Sequence, residues 1–325
     1  MSRFYDALKG TKPSDRLPRE DAEAAGSDTL HPADVANILA TFDTTAPNDE
    51  GSPLQGSPEP VLRATNPVNL PNTSAVEGIA QVEMPSPLRP IPSNGSFGNP
   101  TRMRLDHRAR LIPNLLDSVN VEQYRFLRTK LLQHQADQMF RTLLVTSANM
   151  GEGKTLTTLN SALTFAMLPS FRVLVVEGDL RKGTMQDLLG IPGRPGFGNL
   201  IEGSATLEEV VCKSSDIPVR FVVRGNSKLS PAELLHSPQV SHQLQEMAKH
   251  FDLVLVDSPP VNLVADAQLL AASCEAVLLV VRACFTSQGA LEEATKKLRR
   301  FRVIGTVLNG TRRMGRDYGY DYYQG

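Results

Sequence analysis

The residues Ala148-Asn149-Met150-Gly151-Glu152-Gly153-Lys154-Thr155 follow the pattern of a small residue, four free positions and then Gly-Lys-Thr, and no other stretch restricts the fold as strongly. Such a loop turns its backbone N–H groups inward around phosphate oxygens, which requires glycine where a side chain would block the approach. Lys154 adds a point charge for the outer phosphates, and Thr155 a hydroxyl for Mg²⁺. The pattern carries meaning only between a strand and a helix. Arg141 to Ser147 (RTLLVTS) reads as a buried strand and Lys154 to Met167 as a helix, whose N-terminal dipole favours an anion. Asn149 to Leu156, spanning Met150, Gly151, Glu152, Gly153, Lys154 and Thr155, is therefore expected to bind a nucleoside triphosphate.

From about residue 113 onward apolar runs alternate with helical patterns, the signature of a mostly parallel sheet covered on both faces. Strands are expected at Arg141 to Ser147, Arg172 to Glu177, Arg220 to Arg224, Asp252 to Asp257, Ala276 to Val281 and Val303 to Leu308. Helices are expected near 154–168, 205–211, 238–250, 265–273 and 287–300. The preceding stretch differs in kind. Fourteen of the 23 prolines fall in the first 100 residues, among Ser, Asn, Asp and Gly, too little apolar surface to offset the entropy of ordering. Residues 1–112 are expected to be a mostly disordered leader, 113–309 a P-loop domain of α/β class, and 310–325 a flexible tail. Within the leader, Ser2 to Lys9 and His31 to Phe42 carry apolar residues at helical spacing, and Arg102, Arg104, Arg108 and Arg110 form a basic cluster.

A net charge of -1 gives no electrostatic footprint for nucleic acid. Cys212, Cys274 and Cys284 are too scattered for a disulfide framework or a zinc site. No apolar run approaches the roughly 20 residues of a membrane span. A cytoplasmic location is expected.

Two strands end in carboxylates. Phe251 to Asp257 (FDLVLVD) is apolar up to Asp257, which the following Ser258-Pro259-Pro260 keeps at the sheet edge by preventing a helix from starting. Val173 to Arg181 (VLVVEGDLR) offers Glu177 and Asp179, which on an extended backbone face one side, with Arg181 two residues further. Phosphoryl transfer needs charge compensation by metal and cation and one carboxylate near the attacking oxygen. Lys154, Glu177, Asp179, Arg181 and Asp257 are the expected catalytic set, with Thr155, Asp179 and Asp257 organising Mg²⁺.

These motifs, in this order, resemble the bacterial tyrosine kinases of capsule and exopolysaccharide synthesis, over about residues 115–325. Asp257-Ser258-Pro259-Pro260, Ala265-Asp266-Ala267, Val280-Val281-Arg282 with Thr286, and Val307-Leu308-Asn309 extend the similarity. The resemblance implies an ATP- and Mg²⁺-dependent autokinase with Arg282 and Asn309 near the nucleotide base. It implies a homo-oligomeric ring joined through Glu122, Arg125 and Arg128, which fit the family's Glu-x-x-Arg-x-x-Arg element. Tyr318, Tyr320, Tyr322 and Tyr323, four of the six tyrosines, resemble the family's phosphoacceptor cluster. Further implied partners are a separate membrane protein that sets polysaccharide chain length and activates the kinase, holding it at the inner face of the membrane, and a cognate tyrosine phosphatase. Glu177 stands where the family usually has Asp, Leu156 where it often has a hydroxyl residue, and the tyrosine cluster is short. The alternatives within reach of the same loop are a Min- or Par-type ATPase, against which Asn149 replaces the lysine those proteins carry, and a nucleotide-binding regulator with weak or no kinase activity.

Overall fold

The computed structural model describes residues 98–101, 103, 119–191, 193–213 and 219–311. The expected leader helices, the basic cluster and the tyrosine tail lie outside the described residues.

The described chain runs β1 (Asn99–Pro100), α1 (Val119–Gln138), β2 (Thr142–Ser147), α2 (Lys154–Phe165), β3 (Val173–Glu177), α3 (Thr184–Leu188), α4 (Phe197–Glu202), α5 (Leu207–Val210), β4 (Cys212–Lys213), β5 (Arg220–Val222), α6 (Pro231–His236), α7 (Gln239–His250), β6 (Leu253–Asp257), α8 (Asp266–Ser273), β7 (Ala276–Arg282), α9 (Gln288–Leu298) and β8 (Val303–Asn309). One eight-stranded sheet has the order β1-β4-β5-β3-β6-β2-β7-β8. Every neighbouring pair is parallel except β4 with β5.

The central strands are apolar on both sides because both sides are covered. Leu144, Leu174, Val176, Val254, Val256, Val277, Leu279 and Val281 share one core with α4, α6, α7, α8 and α9. Their neighbours Leu143, Val145, Val173, Val175, Leu253, Leu255, Leu278 and Val280 face the opposite core, with Leu131 of α1, Leu159 and Phe165 of α2, and Met185 of α3. By the same alternation Glu177 and Asp257, which are partners in the β3–β6 register, both belong to the α2 side.

Helices that were expected are found within a few residues of their expected ends. The short helices α3, α4 and α6 were not expected, nor were the two-residue strands β1 and β4. Residues 98–101 depart from the disordered leader: they pair along β4, with Asn99 N–H donating to the Val211 carbonyl and Thr101 N–H to that of Lys213, each at 2.8 Å. Arg194 fastens this edge, reaching the Thr101 hydroxyl at 2.6 Å and the Glu209 carbonyl at 2.7 Å.

Candidate active site

Strands β2, β3, β6, β7 and β8 end on one edge of the sheet, and the loop 148–153 between β2 and α2 lies there. Gly151 (φ 78°) and Gly153 (φ 93°) take the left-handed conformation, which lets the loop close on itself. At Gly153 a Cβ would lie 2.0 Å from Asn309 Nδ2, so only glycine fits. Helix α2 starts at Lys154, and the amides of its first turn have no carbonyl four residues behind them. The amides from Gly151 onward are thus available to phosphate oxygens.

The loop is held from behind by side chains of distant elements. The Glu152 carboxylate turns inward, is fully buried, and accepts from Asn149 N–H at 3.1 Å and from the Thr286 hydroxyl at 2.7 Å. Burial raises its pKa above the usual carboxylate value, against those bonds. Arg282, at the end of β7, donates to the Gly151 carbonyl at 3.0 Å and lies over the Phe285 ring, its guanidinium carbon 4.8 Å from the ring centre. Asn309, ending β8, donates to the Glu152 carbonyl at 3.0 Å. Both residues expected near the base therefore brace the phosphate loop itself. Glu152 holds the loop with its side chain, and Met150 is half exposed at the loop's tip.

Inside the loop, the Thr155 hydroxyl donates to Asp257 Oδ2 at 2.7 Å and receives from Lys154 Nζ at 3.3 Å. Lys154 Nζ stands 3.8 Å from Asp257 Oδ1. Asp257 is 1% exposed, and its Oδ1 accepts no hydrogen bond. Burial raises its pKa, as does the nearby Asp179 charge, while Lys154 and Thr155 pull it down. An orphaned carboxylate oxygen beside a hydroxyl and a second carboxylate is the donor set for Mg²⁺, which binds through one or two carboxylates together with substrate phosphates. Among the described residues no cage of three or more His, Cys, Asp or Glu exists.

The acidic segment after β3 departs from its expected geometry. Strand β3 ends at Glu177, so side chains no longer alternate beyond it. Asp179 Oδ1 instead accepts the N–H groups of Arg181 at 3.2 Å and Lys182 at 3.0 Å, which bends the chain. Arg181 then turns to the other side of the sheet, where it makes a two-pronged pair with buried Asp266 at the start of α8, at 2.6 and 3.0 Å. Asp179 acts on Arg181 through its N–H and through its charge, but the ion pair is with Asp266. Glu177, fully buried, accepts from Met185 N–H at 2.5 Å, Gln186 N–H at 3.1 Å and Arg224 N–H at 2.9 Å. Burial pushes its pKa up to about 7 despite these bonds. Its two oxygens are thus taken up by backbone amides of α3 and of the segment after β5.

The helix expected to join subunits is α1. Glu122 and Arg125 pair on its surface, whereas Arg128 donates inward to the Thr164 carbonyl of α2 at 2.7 Å. Val121 and Leu131 are buried, and Phe126 is 65% exposed with Lys130 over its ring.

No protein-family model matches the chain. It is 30% identical over 208 residues to the tyrosine-protein kinase YwqD of Bacillus subtilis, a match covering 63% of this chain and 87% of that protein. The chain belongs to the bacterial tyrosine-protein kinase family. Tyrosine-protein kinase CpsD of Streptococcus pneumoniae is another such relative, 30% identical over 192 residues, 58% of this chain and 83% of that one. Among solved structures, the BceF tyrosine kinase domain is 30% identical with a TM-score of 0.55, covering 66% of this chain and 84% of that one. The kinase domain of the Escherichia coli tyrosine kinase ETK is 28% identical with a TM-score of 0.56, covering 62% and 80%. In this family member the signals that sequence reasoning underused are Thr286 and Asp266. Each appeared only inside a motif, and its partner, Glu152 or Arg181, is 134 or 85 residues away.

Proposed function

We propose that this chain is an ATP- and Mg²⁺-dependent protein-tyrosine autokinase that regulates exopolysaccharide or capsule synthesis. The observation that carries the reading is the buried group of Lys154, Thr155 and Asp257, with Asp257 Oδ1 lacking a hydrogen-bond partner, at the mouth of an amide-lined loop. The loop amides and Lys154 hold the phosphates, and Thr155, Asp179 and Asp257 hold Mg²⁺. Bound Mg²⁺ supplies charge compensation on the transferring phosphoryl group. Its acceptors are Tyr318, Tyr320, Tyr322 and Tyr323, offered by a neighbouring copy in an assembly that uses the Glu122 and Arg125 face of α1. A membrane protein controlling polysaccharide chain length activates the kinase at the inner membrane face, and a tyrosine phosphatase resets it.

Incubating the purified chain with ATP and Mg²⁺ and mapping phosphate by mass spectrometry tests this. Phosphotyrosine in the last eight residues is expected. None there, with a cytoplasmic segment of the activator added, rejects the kinase. One observation favours a second reading, a nucleotide-binding regulator with little catalysis: Glu177, the carboxylate of the expected catalytic set not assigned to Mg²⁺, is sealed among backbone amides. Tight Mg·ADP binding without phosphotyrosine selects that reading.

A further inference from the structure

Glu177 lies beside Asp257 in the sheet register, and its fully buried carboxylate has both oxygens engaged by backbone amides. Oε1 takes the N–H groups of Met185 and Gln186, in the first turn of α3, and Oε2 that of Arg224, just beyond β5. Between Glu177 and α3 the chain makes the loop that carries Asp179. That loop is anchored at its start by Gly178 N–H donating to the Asp257 carbonyl at 2.7 Å. At its middle Arg181 is paired with Asp266. At its far end the anchor is Glu177.

We propose that Glu177 is a positioning residue: its carboxylate ties the start of α3 to the end of β5 and so fixes the loop that presents Asp179 to Mg·nucleotide. The proposal rests on the nucleotide site described under the proposed function, but not on tyrosine being the acceptor. Two properties of the side chain serve this role. A carboxylate accepts at both oxygens, so it satisfies amides on two segments at once. A glutamate reaches one carbon further than an aspartate, and here the extra carbon spans from the strand end to both segments. Three backbone donors occupy most of the roughly four lone-pair sites of this buried carboxylate. The loop would drift without this anchor, and displacing a ligating carboxylate through its support typically costs tenfold to a hundredfold in metal affinity.

The test uses the whole chain and measures hydrogen exchange and Mg·ADP binding, neither of which needs phosphoryl transfer. In the wild type, the amides of Met185, Gln186 and Arg224 should exchange as slowly as those of the flanking strands. Rapid exchange there overturns the proposal. Glu177→Gln keeps the shape but turns an NH₂ group toward one set of N–H donors. It should speed exchange at one or more of these three amides by about tenfold, and raise the Mg²⁺ needed for half-maximal ADP binding by about tenfold or more. Glu177→Asp, which keeps the charge and loses the reach, should do the same. Unchanged exchange and unchanged Mg²⁺ requirement in both variants would mean that Glu177 positions nothing. If phosphotyrosine forms in the wild type, the Glu177→Gln rate should recover in excess Mg²⁺. A loss of about a hundredfold that Mg²⁺ does not relieve would instead make Glu177 the proton acceptor. A wild type without phosphotyrosine removes the kinase reading and leaves the positioning role to be judged on exchange and binding alone.

Discussion

At the residue scale the site is a set of buried charges that are incompletely matched until a nucleotide arrives. Lys154 has only a hydroxyl at 3.3 Å and a carboxylate oxygen at 3.8 Å, so its charge is held ready for phosphate. Lys154→Met keeps most of the unbranched side chain and removes the charge, and it should weaken Mg·ADP binding by about a hundredfold, read by equilibrium titration. Binding within a few-fold of wild type would show that the loop does not hold phosphate. Glu177 yields a prediction about acidity. Its pKa stands at about 7 in the folded chain against an ordinary 4.5, so the folded state binds the proton more tightly than the unfolded one. The associated stability is present in full below pH 4.5 and disappears as pH rises through about 7. Relative to Glu177→Gln, the nucleotide-free protein should lose about 3 kcal/mol over that interval. Urea unfolding at several pH values checks this, and a difference that stays flat contradicts the burial argument.

At the element scale, helix ends decide as much as helix interiors. Helix α6 is six residues long, too short to stand on propensity, and begins with Pro231 after Ser230. The Ser230 hydroxyl accepts the Glu233 N–H at 3.3 Å, and the Glu233 carboxylate accepts the Ser230 N–H at 2.9 Å, closing a reciprocal cap. Ser230→Ala should therefore cost about 1 kcal/mol of stability in denaturant unfolding with little effect on nucleotide binding. Helix α3 is likewise short, and it takes its cap from Glu177, outside its own segment. Helix α2 differs: nearly all its residues are buried between the sheet and α1, and its first turn remains open toward the phosphate loop. The element that binds nucleotide is thus also one of the most deeply packed, and the loop inherits that rigidity.

At the scale of the whole molecule, the sheet gathers six parallel strand ends on one edge, and the last described strand, β8, ends on that same edge. A tail that starts beside the site of its own copy is well placed to visit that of a neighbour. Several phosphates near Asp317 and Asp321 would repel one another and any carboxylate-rich site. The unphosphorylated protein should therefore form larger assemblies than the phosphorylated one, and a variant with Tyr318, Tyr320, Tyr322 and Tyr323 all changed to Phe should stay in the larger form. Sedimentation velocity distinguishes them, and identical profiles for all three samples would show that tail charge does not govern assembly.

The sequence alone determined the phosphate loop and the strands β2, β3, β6, β7 and β8, because a buried parallel strand must be apolar throughout and a phosphate loop must have glycine where its backbone turns. It also placed Asp257 at a strand end. Only the tertiary structure decided what the remaining charges do. Arg181 pairs with Asp266, Glu152 and Asn309 hold the loop from behind, and Glu177 serves three backbone amides. Helix α3 and the two-residue strands were invisible for the same reason: their partners come from far along the chain, and sequence periodicity reports only which side of an element is buried, never what waits there to pair with it.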